Sequence, residues 1–167
     1  MGQFIYILIA MVLLMNLVVS VTRVDIATSS DMVTNQIRND AISLAQSMIE
    51  EVWTKTFDEK LVTGTSQTVW TAVNKLGPET GESYSTWDDI DDYNGYTKDT
   101  TWGASPFTVS VTVSYANPKI ANFTTAGITY YKIVRVSVVS KMNTKVRKRS
   151  EKVRINMYQI MSRLSDD

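Results

Sequence analysis

The chain has 167 residues, neither cysteine nor histidine, and 17 basic against 17 acidic side chains. Disulfides, thiolate catalysis and cysteine-ligated metals are thereby excluded, as are imidazole-based triads and His-ligated zinc or iron sites. A net charge of zero offers no global attraction to nucleic acid or an anionic membrane, and the length beyond the first apolar stretch suits one domain with a modest core.

Met1 to Thr22 carries no charged side chain and shows no polar stripe. Phe4 to Thr22 is roughly 19 residues, about 28 Å of helix, close to the thickness of a bilayer's hydrocarbon core. A soluble helix would present a polar side. Retention is expected rather than cleavage as a secretory signal, because no basic residue precedes the run and Ser20-Val21-Thr22 is a poor cleavage site. Residues 1–23 are therefore assigned as a transmembrane or filament-core half-helix.

Residues 24–57 form its amphipathic continuation. Ile37, Ala41, Leu44, Ala45, Met48, Ile49 and Val52 recur at steps of three and four, with Arg38, Asn39, Asp40, Gln46, Glu50 and Glu51 between them. No glycine or proline lies between Gly2 and Gly64, so nothing forces the halves apart. The Ser/Thr-rich stretch Val24 to Asn35 is the soft joint. A membrane anchor, a linker and a separate domain helix is the competing arrangement.

Residues 58–104 read as a loop-rich connection. Gln67 to Val73 is a short strand or turn, Gly77 to Gly81 a loop, and Trp87 to Tyr96 the most distinctive string. Within it Asp88, Asp89, Asp91, Asp92 and Asn94 offer oxygen ligands of the type calcium takes. Against an EF-type loop, Asp92 and Asn94 fall correctly but Ile90 stands where the first Asp belongs. A solvated acidic loop, or one docked on basic groups, is the favoured expectation.

Residues 105–167 switch to a period of two. Phe107 to Tyr115 alternates cleanly, Ile128 to Val139 forms a second strand and Lys152 to Ile160 a third, with turns at Asn117-Pro118 and Met142-Asn143-Thr144. Such alternation specifies a half-buried antiparallel sheet, and the stripe Ile37, Ala41, Leu44, Ala45, Met48 and Val52 is its natural cover. The fold class expected is α+β, a long N-terminal helix on a C-terminal antiparallel sheet, forming one globular domain from residue 24 onward.

Lys141, Lys145, Arg147, Lys148, Arg149, Lys152 and Arg154 crowd the last turn and strand. No aromatics interleave them, so a nucleic-acid partner is not expected. The acidic 88–92 loop is their natural mate, within a subunit or between subunits, and Asp91, Asp92, Arg147, Lys148 and Arg149 are the contact candidates. Asn122-Phe-Thr124 is a glycosylation sequon. Adjacent carboxylates such as Glu50/Glu51 and Asp91/Asp92 point apart, and neither catalysis nor a cofactor is expected.

The charge-free helix, the continuation Ala41-Ile-Ser-Leu-Ala-Gln-Ser-Met-Ile-Glu-Glu51, the Asp88 to Gly95 loop and the antiparallel strands together resemble a type IV pilin or a type II secretion pseudopilin. The resemblance covers the whole chain in architecture. It implies a structural subunit held in the inner membrane before assembly, recruited by pilus or secretion machinery, and displayed as a helical homopolymer at the cell surface. Phe4, Ile5, Ile7, Leu8, Ile9, Met11, Leu13, Leu14, Leu17 and Val18 would then form the assembly core, with Asn16 as a polar register element. Pilins usually carry Glu at the fifth position and a helix-kinking proline. Here Ile5 stands instead, Gln3 precedes it, and that proline is missing. A minor pilin or pseudopilin, and a single-pass anchored binding module, are the alternatives.

Overall fold

Helix α1 runs unbroken over Gly2–Trp53, 52 residues, about 78 Å at 1.5 Å per residue. The structure is a computed structural model that describes residues 2–58, 70–125, 127–146 and 149–163, with backbone alone for 24–27, 30, 143–146 and 149–151. The soft joint is thus helical. Reading the helix to Phe57 is corrected, because Thr54 and Lys55 tighten into i−3 bonds and Thr56 leaves the axis. Its amide donates to Asp88 O (3.0 Å) and its carbonyl accepts from the Ile90 amide (2.9 Å). A backbone pairing with the acidic loop therefore ends the helix.

Four strands follow: β1 (Thr97–Trp102), β2 (Ser105–Tyr115), β3 (Tyr131–Val146) and β4 (Arg149–Ser162), an antiparallel meander in the order β1-β2-β3-β4. Three strands were expected, and β1 corrects the loop-rich reading of 58–104. Its sequence Thr-Lys-Asp-Thr-Thr-Trp shows no apolar alternation because its side chains are largely exposed. What specifies it is the turn at Gly103-Ala104 and the pairing of Trp102 with Ser105. Gly103 has φ +59°, and a Cβ there would lie 3.2 Å from Asp40 Oδ2 on α1, so helix and hairpin meet through the missing side chain. Residues 73–75 form a short 3-10 turn and Trp70 to Ala72 no strand, while 67–69 lie outside the described residues.

Met142 to Thr144 is not the second turn either. Ser140 Oγ accepts from the Met142 amide and donates to the Met142 carbonyl (both 3.1 Å), a bulge that shifts the register between Val139 and Asn143 and lets β3 continue to Val146. At the other end β3 begins at Tyr131 rather than Ile128, and β4 extends beyond 152–160 on both sides.

The inward face follows the register. Phe107, Val109, Val111, Val113 and Tyr115 stand opposite Ser140, Val138, Val136, Val134 and Lys132, and all ten are buried. Ile37, Ala41, Leu44, Ala45, Met48 and Val52, the expected helix stripe, are all buried with them in one core. α1 lies chiefly over β3 and β4, completing an α+β arrangement of two layers. Ala41 and Ala45 are fully buried, so the helix approaches the strands at its small residues. Ala45→Leu is expected to overpack this contact and cost about 1–3 kcal/mol. Urea unfolding checks it, and a loss below about 0.5 kcal/mol would mean that the layers are loosely fitted.

Candidate functional site

Two features stand apart from ordinary core. The first is the apolar half of α1. Gly2–Arg23 is long and apolar enough to cross a membrane, and none of it is buried in the molecule. Phe4, Ile5, Ile7, Leu8, Ile9, Met11, Leu13, Leu14, Leu17 and Val18 are each at least half exposed. Its polar groups are turned back on the helix: Asn16 Nδ2 donates to Val12 O (2.8 Å), Ser20 Oγ to Asn16 O (2.8 Å) and Thr22 Oγ1 to Val18 O (2.9 Å). These bonds satisfy a donor of each of the three side chains within the helix itself. The Asn16 amide thus has one of its hydrogens occupied within the helix.

The second feature is a buried ionic cluster beneath the helix's end. Lys132 projects inward from β3 and is fully buried. Its ammonium donates to Asp91 Oδ1 (2.5 Å), Phe57 O (2.5 Å) and Asp58 Oδ2 (3.3 Å), three acceptors for three N–H bonds. The Phe57 and Tyr115 rings lie 4.7 and 5.7 Å from the same nitrogen. Asp58 also accepts from the amide and hydroxyl of Thr71, whose carbonyl takes the Tyr115 hydroxyl. One lysine therefore ties the helix exit, the acidic loop and two strands together.

The acidic loop is folded inward and meets a basic group, Lys132, rather than lying in solvent. Asp89, Asp91 and Asp92 are each 1% exposed. Asp89 Oδ1 accepts from the amides of Asp91 (2.8 Å) and Asp92 (3.2 Å), and Asp92 Oδ2 from those of Asp88 (3.0 Å) and Asp89 (3.1 Å). Asn94 Nδ2 donates to Leu76 O and its Oδ1 accepts from the Val113 amide, with Gly95 at φ +83° turning the chain into β1. Next to the loop, Tyr93 and Tyr84 both donate to Glu51 Oε1 of α1 (2.8 and 2.5 Å), and burial, followed by the Glu51 bond, raises both phenols. Trp87 and Tyr96 complete this aromatic packing.

Burial, then the Asp91 charge, lifts Asp89 to about 8 against the pull of Lys132, and burial raises Asp91 despite the same ammonium. Glu79 is pushed to about 7 by burial and by Asp92 and Glu82. Glu82 is raised by burial and by Asp92. Acids whose folded pKa lies above the unfolded value hold their proton better when folded. Their contribution is fully present below about pH 4 and is lost as pH rises through about 7 for Glu79 and about 8 for Asp89. Urea midpoints in chelator-containing buffer are thus expected to fall from pH 5 to pH 8.5. A rise over that range would contradict the burial of these groups.

The cluster revises the contact candidates. Asp91 faces Lys132 and Asp92 faces backbone amides inside the subunit, so neither is displayed for a neighbour. Lys141, from the basic group, pairs with exposed Asp99 on β1 (2.6 Å) and not with the 88–92 loop. Its bond and that from Thr108 lower Asp99. Arg147 and Lys148 lie outside the described residues, and of Arg149 only the backbone is described. Sequence reasoning passed over Lys132, Asp58, Glu79 and Glu82. A signal for Lys132 was present: a lysine at an inward position of an otherwise apolar alternation needs a buried counter-charge. On the outer sheet face Arg135 binds Asn122 O (3.0 Å) and Thr124 Oγ1 (2.7 Å), which holds the sequon against β3. No protein-family model, curated protein or solved structure matches the chain.

Proposed function

We propose that the chain is a structural subunit of a pilin-like filament, held in a membrane through Gly2–Arg23 and polymerising through the same surface. One observation carries this reading: an unbroken helix whose second half is the core of an α+β domain extends with a first half that is predominantly apolar and uncovered. Such a surface is stable in lipid or against copies of itself. Removing on the order of 1,000 Å² of it from water corresponds to about 25 kcal/mol, so an assembled state resists dissociation into solvent. Leaving lipid gains far less, and close packing of side chains must supply the difference. With no carboxylate between Gly2 and Thr22, register falls to shape and to Gln3 and Asn16.

In this reading the sheet domain forms the outer surface of a helical homopolymer at the cell surface. The protein performs no catalysis and needs no cofactor. The lack of any acidic residue in Gly2 to Thr22 favours a second version of it, a minor subunit at a pilus tip or in a secretion machine. Electron microscopy of filaments sheared from the source cells, with mass spectrometry of their components, tests the proposal. This chain as a major component around an axial bundle of helices supports the homopolymer, and trace amounts support the minor subunit. Recovery only as a detergent-extracted monomer overturns both in favour of an anchored binding module.

A further inference from the structure

We propose that Glu79, Glu82 and Asp92 hold a divalent cation, calcium in preference to magnesium, which clasps the 77–82 loop to the acidic loop. One carboxylate oxygen from each of the three lies within 4.8 Å of the other two. Such a convergence of like charge calls for protons or a cation. Asp92 supplies the independent sign of a ligand. It is 99% buried, its Oδ2 is held by the amides of Asp88 and Asp89, and its Oδ1 has no hydrogen-bond partner. Two backbone amides thus orient the group and leave its second oxygen for a cation or for a proton shared with Glu82.

No side-chain cation answers this need among the described residues. The ion pairs are Lys132 with Asp58 and Asp91, and Lys141 with Asp99, and the three hydrogens of Lys132 are already placed. Asp88 Oδ1, Asp89 Oδ2 and Asp91 Oδ2 are likewise buried without hydrogen-bond partners.

The donor set selects the ion. Only oxygens are available, in a chain without histidine or cysteine, which disfavours zinc and other borderline or soft metals. Glu79 and Glu82 are partly exposed, leaving one side of the site open to water. Calcium accepts six to eight oxygens in irregular arrangements at about 2.3–2.6 Å, whereas magnesium demands a near-ideal octahedron. The consequence is mechanical. Asp92 shares its segment with Asp91, bound to Lys132 of β3, and with Tyr93, bound to Glu51 of α1. A cation there would brace the junction of helix, loop and sheet, whether or not the protein polymerises.

The test uses the full chain in detergent, stripped with EDTA and dialysed at pH 7.5. Calcium chloride at 1 mM is expected to raise the melting temperature by about 5 °C or more, with magnesium chloride at the same concentration giving less than half of that. Titration calorimetry should report one calcium per chain. E79Q/E82Q, which removes repulsion from partly exposed positions, should melt at or above wild type in EDTA and lose the calcium response. D99N, which alters a remote exposed carboxylate, should keep it. No calcium shift in wild type, or an equal shift in E79Q/E82Q, overturns the site, and an equal response to magnesium overturns the choice of ion. An E79Q/E82Q chain that melts below wild type in EDTA would mean that the carboxylates serve the fold directly, and would also overturn it.

Discussion

Lys132→Met is expected to cost about 3–5 kcal/mol, because it leaves Asp91 in a core site without the ammonium that faces it. Methionine approximates the aliphatic stem in volume, so the loss is chiefly electrostatic and not a cavity. Asp58, Asp91, the Phe57 carbonyl and the Thr71 strap all converge on this one nitrogen or its partners, and the helix exit should loosen along with the acidic loop. The variant's folded state must protonate its stranded carboxylate, so its deficit should shrink as pH falls toward about 4, where the unfolded chain takes up that proton too. Adding Asp91→Asn to Lys132→Met should recover part of the loss at pH 7.5 by removing the stranded carboxylate. Urea unfolding of the detergent-solubilised chain reads all of this. A deficit below about 1 kcal/mol, independent of pH, would mean that the cluster is neutral or hydrated.

The parts of this architecture that were legible beforehand are those written in local periodicity. Ile37 to Val52 announces a helix stripe and Phe107 to Tyr115 a strand face, because each side chain's burial follows from its own spacing. β1 is different: its exposed residues carry no alternation, and it exists because Gly103 turns the chain and β2 offers a free edge. The basic partner of the acidic loop was illegible for a related reason. Asp89, Asp91 and Asp92 look solvated when judged by composition, and they are buried because Lys132 lies 41 residues beyond Asp91 and backbone amides fold over their oxygens. Nor does any local pattern set Glu79 and Glu82 beside Asp92. The bulge at Ser140 likewise falls where Met142-Asn143-Thr144 reads as a turn, since a hydroxyl satisfying Met142 lets the strand continue.

The two halves of α1 solve opposite solvation problems, which explains their composition. From Thr34 onward the helix owes its position to an apolar stripe that meets a sheet, and its other face carries Arg38, Asn39 and Glu50. Before Arg23 no face is spared, and hydroxyl and amide groups bond to their own helix. A domain fold that already closes its core without residues 2–23 gives those residues no structural duty inside the subunit. Their proposed duty lies outside it.

Leu13→Arg addresses that duty directly. Leu13 lies near the middle of Gly2–Arg23 and touches nothing in the domain, being 65% exposed. An arginine at the centre of a span costs about 2.5–3.5 kcal/mol on insertion scales, roughly a hundredfold in partition. The chain's carbonate-resistant membrane fraction is therefore expected to fall sharply, and filament yield with it, because a bundle of apolar helices has no partner for a guanidinium. The urea transition of the sheet domain should not move, which separates loss of anchoring from misfolding. Met32→Arg, placed beyond the span on an exposed helix position, should leave membrane fraction and filaments unchanged. If Leu13→Arg filaments form at wild-type yield, the apolar half does not line the filament axis. If the membrane fraction persists while filaments vanish, insertion tolerates the charge by snorkelling and helix packing does not, which would locate the specificity of assembly in the contact between helices rather than in the membrane.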